Sequence, residues 1–291
     1  MPDKNKIEYF LFRSLVTLFN KIGLNRTRKL ARLIGYLFYY LIPIRKSTVM
    51  SNLRKAFPEK SEKEIHNIAR QNYIHMSITF AELMILPSLQ DSDIRNEIVF
   101  DNRAHVESVI KNDKGTILLT GHFGNWEIIM SALAVNVHAV YNVLVKPQRN
   151  VYITEWLERT RNRGNAKVIP VGLSVKQIFS ALKNGEVVGI AGDQRGPADA
   201  PRFRFFDVET ALNTGAAAFA LKTGCDILLL VAVRQPDFKY KIYADRMEYD
   251  ALPGSYDEKL IAITQKYISF LESYVKKYPS QYFWMHKIWK Y

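Results

Sequence analysis

The chain has 291 residues, 48% of them hydrophobic, and a formal net charge of +13, enough apolar material for one large domain or one domain with an appended segment. Its single cysteine, Cys225, excludes an intrachain disulfide and any thiolate-based zinc site. The positive balance calls for an anionic partner such as lipid, nucleic acid or an acidic protein, and it is concentrated at the front: residues 1–60 hold 13 Lys/Arg against 3 Asp/Glu.

Residues 7–24 read as an aromatic-rich amphipathic helix, and residues 30–44 as a second apolar stretch closed by Pro43 and the pair Arg45-Lys46. Neither offers the roughly 18–20 uncharged residues of a spanning helix. Arg13 and Arg32 interrupt them, and Arg26, Arg28 and Lys29 flank them. That pattern suits helices lying in the interface of an anionic leaflet, with ordinary amphipathic packing on their own domain as the alternative. The mixing of charge with apolar residues, and the lack of a small-residue cleavage site, argue against a signal peptide. The expected division is a membrane-associating helical segment over 1–46 and a main domain over 47–291. Residues 47–98 look helical, with Ser61 and Glu64 as a capping box and Pro87 as the stop.

From Glu97 the texture changes. Short apolar runs at 98–100, 116–120, 140–145, 168–171, 187–191 and 227–233 alternate with helical patterns at about 126–136, 150–163, 174–184 and 211–223. Such alternation predicts an α/β fold with a mainly parallel central sheet flanked by helices. Ligands of such a sheet gather at the carboxyl ends of its strands.

One strand end stands out, Thr116-Ile-Leu-Leu-Thr-Gly-His-Phe-Gly-Asn-Trp-Glu127. An apolar run breaks at Gly121, presents His122, relaxes at Gly124 and enters a helix at about Asn125, a suitable N-cap. A histidine at such a corner with a carboxylate nearby is what a general base and its orienting partner require. On one continuous helix, residues five apart lie about 140° apart around the axis, so His122 must precede the helix and fold back towards Glu127. Two further loops belong to the same rim. Lys146 to Asn150 leads to a helix ending Arg159-Thr-Arg-Asn-Arg-Gly164, whose guanidiniums suit phosphate or carboxylate, or form a solvated basic face. Gly192-Asp-Gln-Arg-Gly-Pro197 carries Asp193, placed to accept a hydrogen bond from a rim group or to hold the His122 loop. Backbone N–H groups around Gly124 and Asn125, or Arg161 and Arg163, are candidates for stabilising an oxyanion or holding phosphate. The C-terminal stretch from Tyr278 mixes aromatics with lysines, which suits a lipid boundary or a segment capping the core.

Taken together, the chain resembles the late acyltransferases of lipid A biosynthesis, a branch of the glycerolipid acyltransferase superfamily. Gly121-His122 through Glu127 resembles their H-x-x-x-x-E/D signature, and Asn150 followed by Arg161-Asn-Arg163 their second basic motif. Ala191-Gly-Asp193-Gln194 is similar to their strand-end Asp loop, and Phe205–Gly215 to the segment after it. Asn52-Leu53 through Pro58 resembles their N-L-x-x-x-F-P, and Pro279–Lys290 their closing P-x-Q-Y-x-W-x-H-x-x-x-K. The glycerol-phosphate branch commonly has Asp where this chain has Glu127. The resemblance implies the superfamily's glycerol-3-phosphate acyltransferase-like fold with an N-terminal membrane anchor, at the cytoplasmic face of the inner membrane. It implies transfer of a fatty acyl chain from acyl carrier protein to a hydroxyl of an anionic glycolipid, with no cofactor and no metal. His122 and Glu127 are then the catalytic candidates, and Asn125, Arg161, Arg163, Asp193 and Gln194 the substrate-binding ones. Another bacterial glycolipid, aminolipid or lysophospholipid as acceptor is the nearest alternative. A non-enzymatic basic membrane-binding protein is the alternative of a different class. No G-x-S-x-G elbow points to a hydrolase, and no signature of nucleic-acid binding occurs.

Overall fold

The computed structural model describes residues 3–145, 148–161, 166–170 and 175–290. Helices α1 (Lys4–Ile22), α2 (Leu24–Tyr40), α3 (Lys46–Ala56) and α4 (Glu62–Ile85) come first. The expected capping box starts α4, with the Ser61 hydroxyl and the Glu64 carboxylate each satisfying the other's backbone N–H. Next come α5 (Asp91–Glu97), β1 (Ile98–Phe100), α6 (Arg103–Ile110), β2 (Thr116–Thr120), α7 (Trp126–Asn136), β3 (Tyr141–Val145), α8 (Val151–Arg161), β4 (Ala166–Pro170), α9 (Val175–Lys183) and β5 (Val187–Ala191). A hairpin of β6 (Arg202–Phe205) and β7 (Val208–Ala211) stands apart, followed by α10 (Gly215–Thr223), β8 (Asp226–Arg234), β9 (Tyr240–Arg246) and α11 (Tyr256–Lys277).

The main sheet runs in the order β1-β9-β8-β2-β5-β3-β4. Strands β8, β2, β5, β3 and β4 are mutually parallel, whereas β9 is antiparallel to β8 and carries β1 along with it. The α/β expectation, mainly parallel and covered on both faces, is therefore met. Alternation along β2 sends Ile117 and Leu119 into a core shared with α9, α10 and α11, and Leu118 into a second core shared with α6 and α7. Because β2 and β5 are neighbours in register from Thr116↔Val187 to Thr120↔Ala191, the loops that follow them leave the sheet side by side. That adjacency builds the site.

The two N-terminal helices pack on α4 through Phe19, Ala31, Ile74, Ile78 and Ala81. Their other side leaves Phe10, Leu11, Leu33 and Leu41 between 60% and 73% exposed. Among the described residues, no helix is long and apolar enough to cross a membrane. Helix α6, the hairpin, β9 and α11 are additions to the expected elements. The helix expected over 211–223 starts at Gly215, because Val208–Ala211 pairs with β6 instead. The strand expected at 168–171 begins at Ala166, and Val171 lies outside the described residues.

Candidate active site

His122 follows β2 as expected, and the turn that presents it is held by the far end of the chain. Phe283 donates its N–H to the His122 carbonyl at 2.9 Å, and Gly124 donates to the Gln281 carbonyl at 2.8 Å. Gly124 has φ +59°, and a Cβ there would sit 1.7 Å from the Ala232 carbonyl oxygen, so only glycine fits this corner. The terminal segment is itself anchored by α3 and α4. Asn52 donates to the carbonyls of Trp284 and His286 at 2.8 and 2.7 Å, and Asn72 to those of Ser280 and Tyr282 at 2.9 and 2.6 Å. Of the two expectations for the C-terminal stretch, capping the core is the one met: Tyr282, Trp284 and Ile288 are buried.

The carboxylate on the imidazole is Asp193, not Glu127. Asp193 Oδ1 lies 2.7 Å from His122 Nδ1, and its Oδ2 accepts the His122 backbone N–H at 2.9 Å. The reason is topological: the loop after β5 lies beside the loop after β2, whereas the first turn of α7 carries Glu127 elsewhere. Glu127 instead forms a two-pronged ion pair with Arg161 at the end of α8, at 2.6 and 3.0 Å. Burial pulls the His122 pKa down, but the charge and hydrogen bond of Asp193, helped by the charge of Glu127, hold it above the ordinary histidine value. Burial works against the Asp193 carboxylate too, and His122 together with the Tyr282 hydroxyl overcomes it, leaving its pKa depressed.

With Nδ1–H donated to Asp193, Nε2 carries the lone pair. It accepts from the Gln194 amide at 3.1 Å. His122 keeps 17% of its side chain exposed over a 3% exposed Asp193, and it opens onto a cavity of about 450 Å³. Glu127, Arg161 and Gln194 line the same cavity, and Leu118, Gly189 and Leu230 from the strands, with Met130 from α7, make its floor. Trp126 and Phe283 flank the imidazole, with ring centroids 5.0 and 6.1 Å away. A polar rim holding a base over an apolar floor suits chemistry on the head of a long-chain molecule.

A profile of the bacterial lipid A biosynthesis acyltransferases matches residues 4–291. The chain belongs to that family. Two relatives, the lipid A biosynthesis palmitoleoyltransferase of Escherichia coli (strain K12) and a lipid A biosynthesis acyltransferase of Shigella flexneri, are each 26% identical over 266 residues, spanning 88% of this chain and 82% of the relative. The protein is an acyltransferase, and family membership implies an acyl donor and a lipid acceptor.

Within this acyltransferase the remaining expected site residues fall unevenly. Asn125 is buried and faces inward: its carboxamide oxygen caps α7 by accepting from Ile128 N–H at 3.1 Å, and its nitrogen donates to Glu82 at 3.0 Å. It positions the corner and does not line the cavity. The Gly124 N–H, engaged by Gln281, is not an oxyanion donor. Arg163 and Lys146 lie outside the described residues. Asn150 is buried and ties the start of α8 to α1, donating to the Asn5 carbonyl at 2.9 Å. Sequence reading passed over three supports of the site. The His286 Nε2 accepts the Arg195 N–H at 3.1 Å and so steadies the Asp193 loop. Thr79 donates to the Gly124 carbonyl at 2.9 Å. Glu82 joins Arg28, Arg234, Tyr240 and Asn125 in one buried cluster. A signal for the last two existed: Asn72, His75, Thr79 and Glu82 make a polar stripe at helical spacing along α4.

Proposed function

We propose that this acyltransferase moves a fatty acyl chain from an acyl carrier protein thioester to a hydroxyl of a lipid A precursor, with His122 as general base. The acceptor oxygen attacks the thioester carbonyl carbon while its proton passes to Nε2. Asp193, in contact, and Glu127, at longer range, stabilise the imidazolium that forms. The tetrahedral intermediate then releases the thiolate, which takes the proton back from Nε2. No acyl-enzyme is required, because the thioester is already an activated acyl group.

Gln194, whose amide occupies Nε2 in the resting site, yields that position to the hydroxyl and becomes a donor for the oxyanion. Arg161, held by Glu127, takes an acceptor phosphate at the rim. The apolar floor takes the donor chain. The observation that carries this reading is the imidazole lone pair aimed into a cavity with a greasy floor, with its other nitrogen fixed by a buried carboxylate. His122→Ala should lower acyl transfer from acyl carrier protein to a lipid A precursor by about 10³-fold or more; a folded variant retaining near wild-type turnover refutes the scheme.

The basic charge fits an acidic donor protein and a phosphorylated acceptor alike. The exposed apolar face of α1 and α2, set among Arg13, Arg26, Lys29 and Arg32, supports attachment to an anionic leaflet at the cytoplasmic face of the inner membrane. Phe10→Glu with Leu11→Glu and Leu33→Glu changes only exposed positions and should abolish co-sedimentation with anionic vesicles. Undiminished co-sedimentation removes that role from the helices.

A further inference from the structure

A second apolar cavity, of about 390 Å³, lies between α1, α2 and α4, and the chemistry above does not use it. Each helix contributes residues one turn apart, Leu15 with Phe19, Ile34 with Phe38, and Ser77 with Ala81, the spacing that lines one helix face. The exposed side chains of Leu15 and Ile44, 40% and 48% accessible, open it to the outside on the apolar side of the N-terminal helices. Arg45 stands at its edge, exposed, with one guanidinium nitrogen on the Met285 carbonyl at 3.0 Å. Phe80, Met84 and Phe283 line both this cavity and the catalytic one. Phe80 and Phe283 touch edge-on at 6.4 Å, and Phe283 lies 6.1 Å from the His122 ring. The partition between the two spaces is thus a thin layer of side chains that ends at the base.

We infer that this cavity binds a hydrocarbon chain of the lipid acceptor, held apart from the donor chain, with Arg45 placed for the acceptor's anionic head. The inference rests on the acyl-transfer reading and adds the acceptor's location to it. Two long chains must reach one histidine together, and a shared groove would make donor and acceptor compete. Two compartments divided by Phe80, Met84 and Phe283 let both be seated while their reacting groups meet at the rim. The occupant is a flexible chain because the walls are apolar apart from Arg45, Ser77 and Tyr73, whose hydroxyl is spent on the Ile44 carbonyl. Their volume is also more than twice that of an engineered dry cavity of about 150 Å³ that takes a benzene ring. The mouth faces the surface proposed to meet the leaflet, so the acceptor enters from lipid without crossing water.

The test uses the full chain in detergent micelles, acyl carrier protein thioester as donor, and lipid A precursors whose chains are shortened stepwise. In the wild type each methylene removed should raise the acceptor KM by about fourfold. Ser77→Trp, which fills the cavity from a half-buried position on α4, should raise the acceptor KM at least about tenfold, leave the donor KM unchanged, and erase the chain-length dependence. Ser77→Leu, a milder filling compatible with the helix, should do the same to a smaller degree and covers the case in which the tryptophan variant does not fold. A rise in donor KM instead, or an unchanged acceptor KM in a folded variant, overturns the inference. A wild-type protein that transfers nothing overturns the acyl-transfer reading itself.

Discussion

Two carboxylates in this protein are almost equally hidden, Glu82 at 4% exposure and Asp193 at 3%. Each sits against positive or protonatable partners, and for each burial alone would raise the pKa, yet the partners hold it below the ordinary value. Their surroundings differ in one respect. Glu82 is enclosed by Arg28 at 2.6 Å, Arg234 at 3.0 Å, Asn125 and Tyr240, and none of these four lines the catalytic cavity. Asp193 holds an imidazole whose far nitrogen opens onto that cavity. Burial with a counter-charge is therefore common to scaffold and site. What sets Asp193 apart is that its partner turns a second nitrogen, met only by the Gln194 amide, towards the cavity, whereas Glu82 cements α2, α4, β8 and the cap of α7 into one unit.

The sharpest way to break this comparison is to neutralise each carboxylate in turn. Asp193→Asn should lower kcat/KM by about 10³-fold, because an amide no longer fixes the reactive tautomer or supports the imidazolium. Its pH profile carries a second signature. The base works when neutral, so activity rises with pH through the His122 pKa, which stands above 6.5 in the intact site. Burial depresses that pKa, and the charge of Asp193 is the leading force opposing it, so in Asp193→Asn the acid limb moves to lower pH. Glu127→Gln should cost about 10²-fold through loss of the aligned Arg161 and shift the limb less, in the same direction. A larger loss and shift for Glu127→Gln than for Asp193→Asn would return the orienting role to Glu127.

Glu82→Ala should act on stability. It takes the carboxylate from buried Arg234 and leaves Arg28 with Glu97 alone, at a cost of about 3–5 kcal/mol, read from thermal or denaturant unfolding. The sign of its pH dependence follows from the depressed pKa. The cluster's stabilisation is in full force above the ordinary carboxylate value of 4.5 and is lost as pH falls through the lower folded value. The gap between wild type and variant should accordingly narrow in acid. A gap independent of pH would mean that packing, not charge, holds the cluster.

Much of the scaffold was legible because parallel strands buried on both faces read as continuous apolar runs, as Thr116–Thr120 and Val187–Ala191 do. Strand β9, Tyr-Lys-Ile-Tyr-Ala-Asp-Arg, alternates polar with apolar and runs antiparallel, so it carries no such run. Helix α11 lies outside the sequence expectations although Ser255 and Glu258 form a capping box. His122, Glu127, Arg161, Asp193 and Gln194 are all candidates on sequence grounds, and all five belong to one neighbourhood. Their pairing was not legible. Which carboxylate meets the imidazole depends on β2 and β5 lying side by side, a fact of sheet order across 71 residues of chain. Asn125 shows the same limit: it caps α7 as its sequence position suggests, but whether an N-cap side chain faces substrate or core depends on what packs over it, here Glu82 from α4.

The floor of the catalytic cavity offers the smallest and most graded effect, and it separates site from scaffold by selectivity, leaving rate and stability aside. Met130 lines both the large cavity and a side pocket of about 20 Å³ next to it, room for about one water molecule. A Cβ on Gly189 would lie 2.9 Å from the Met130 sulfur, so a side chain on β5 at this position would press on Met130. Met130→Ala joins the two spaces and should move the preferred donor chain about two methylenes longer, an approximately tenfold change in the ratio of kcat/KM for the two lengths. Gly189→Ala should push Met130 inward and shift the preference the other way. Competition between acyl carrier protein donors of graded length, analysed by mass spectrometry of the lipid product, reads both shifts. If neither variant changes the ratio while total turnover holds, the donor chain does not reach this floor, and the 450 Å³ cavity serves another part of the substrate.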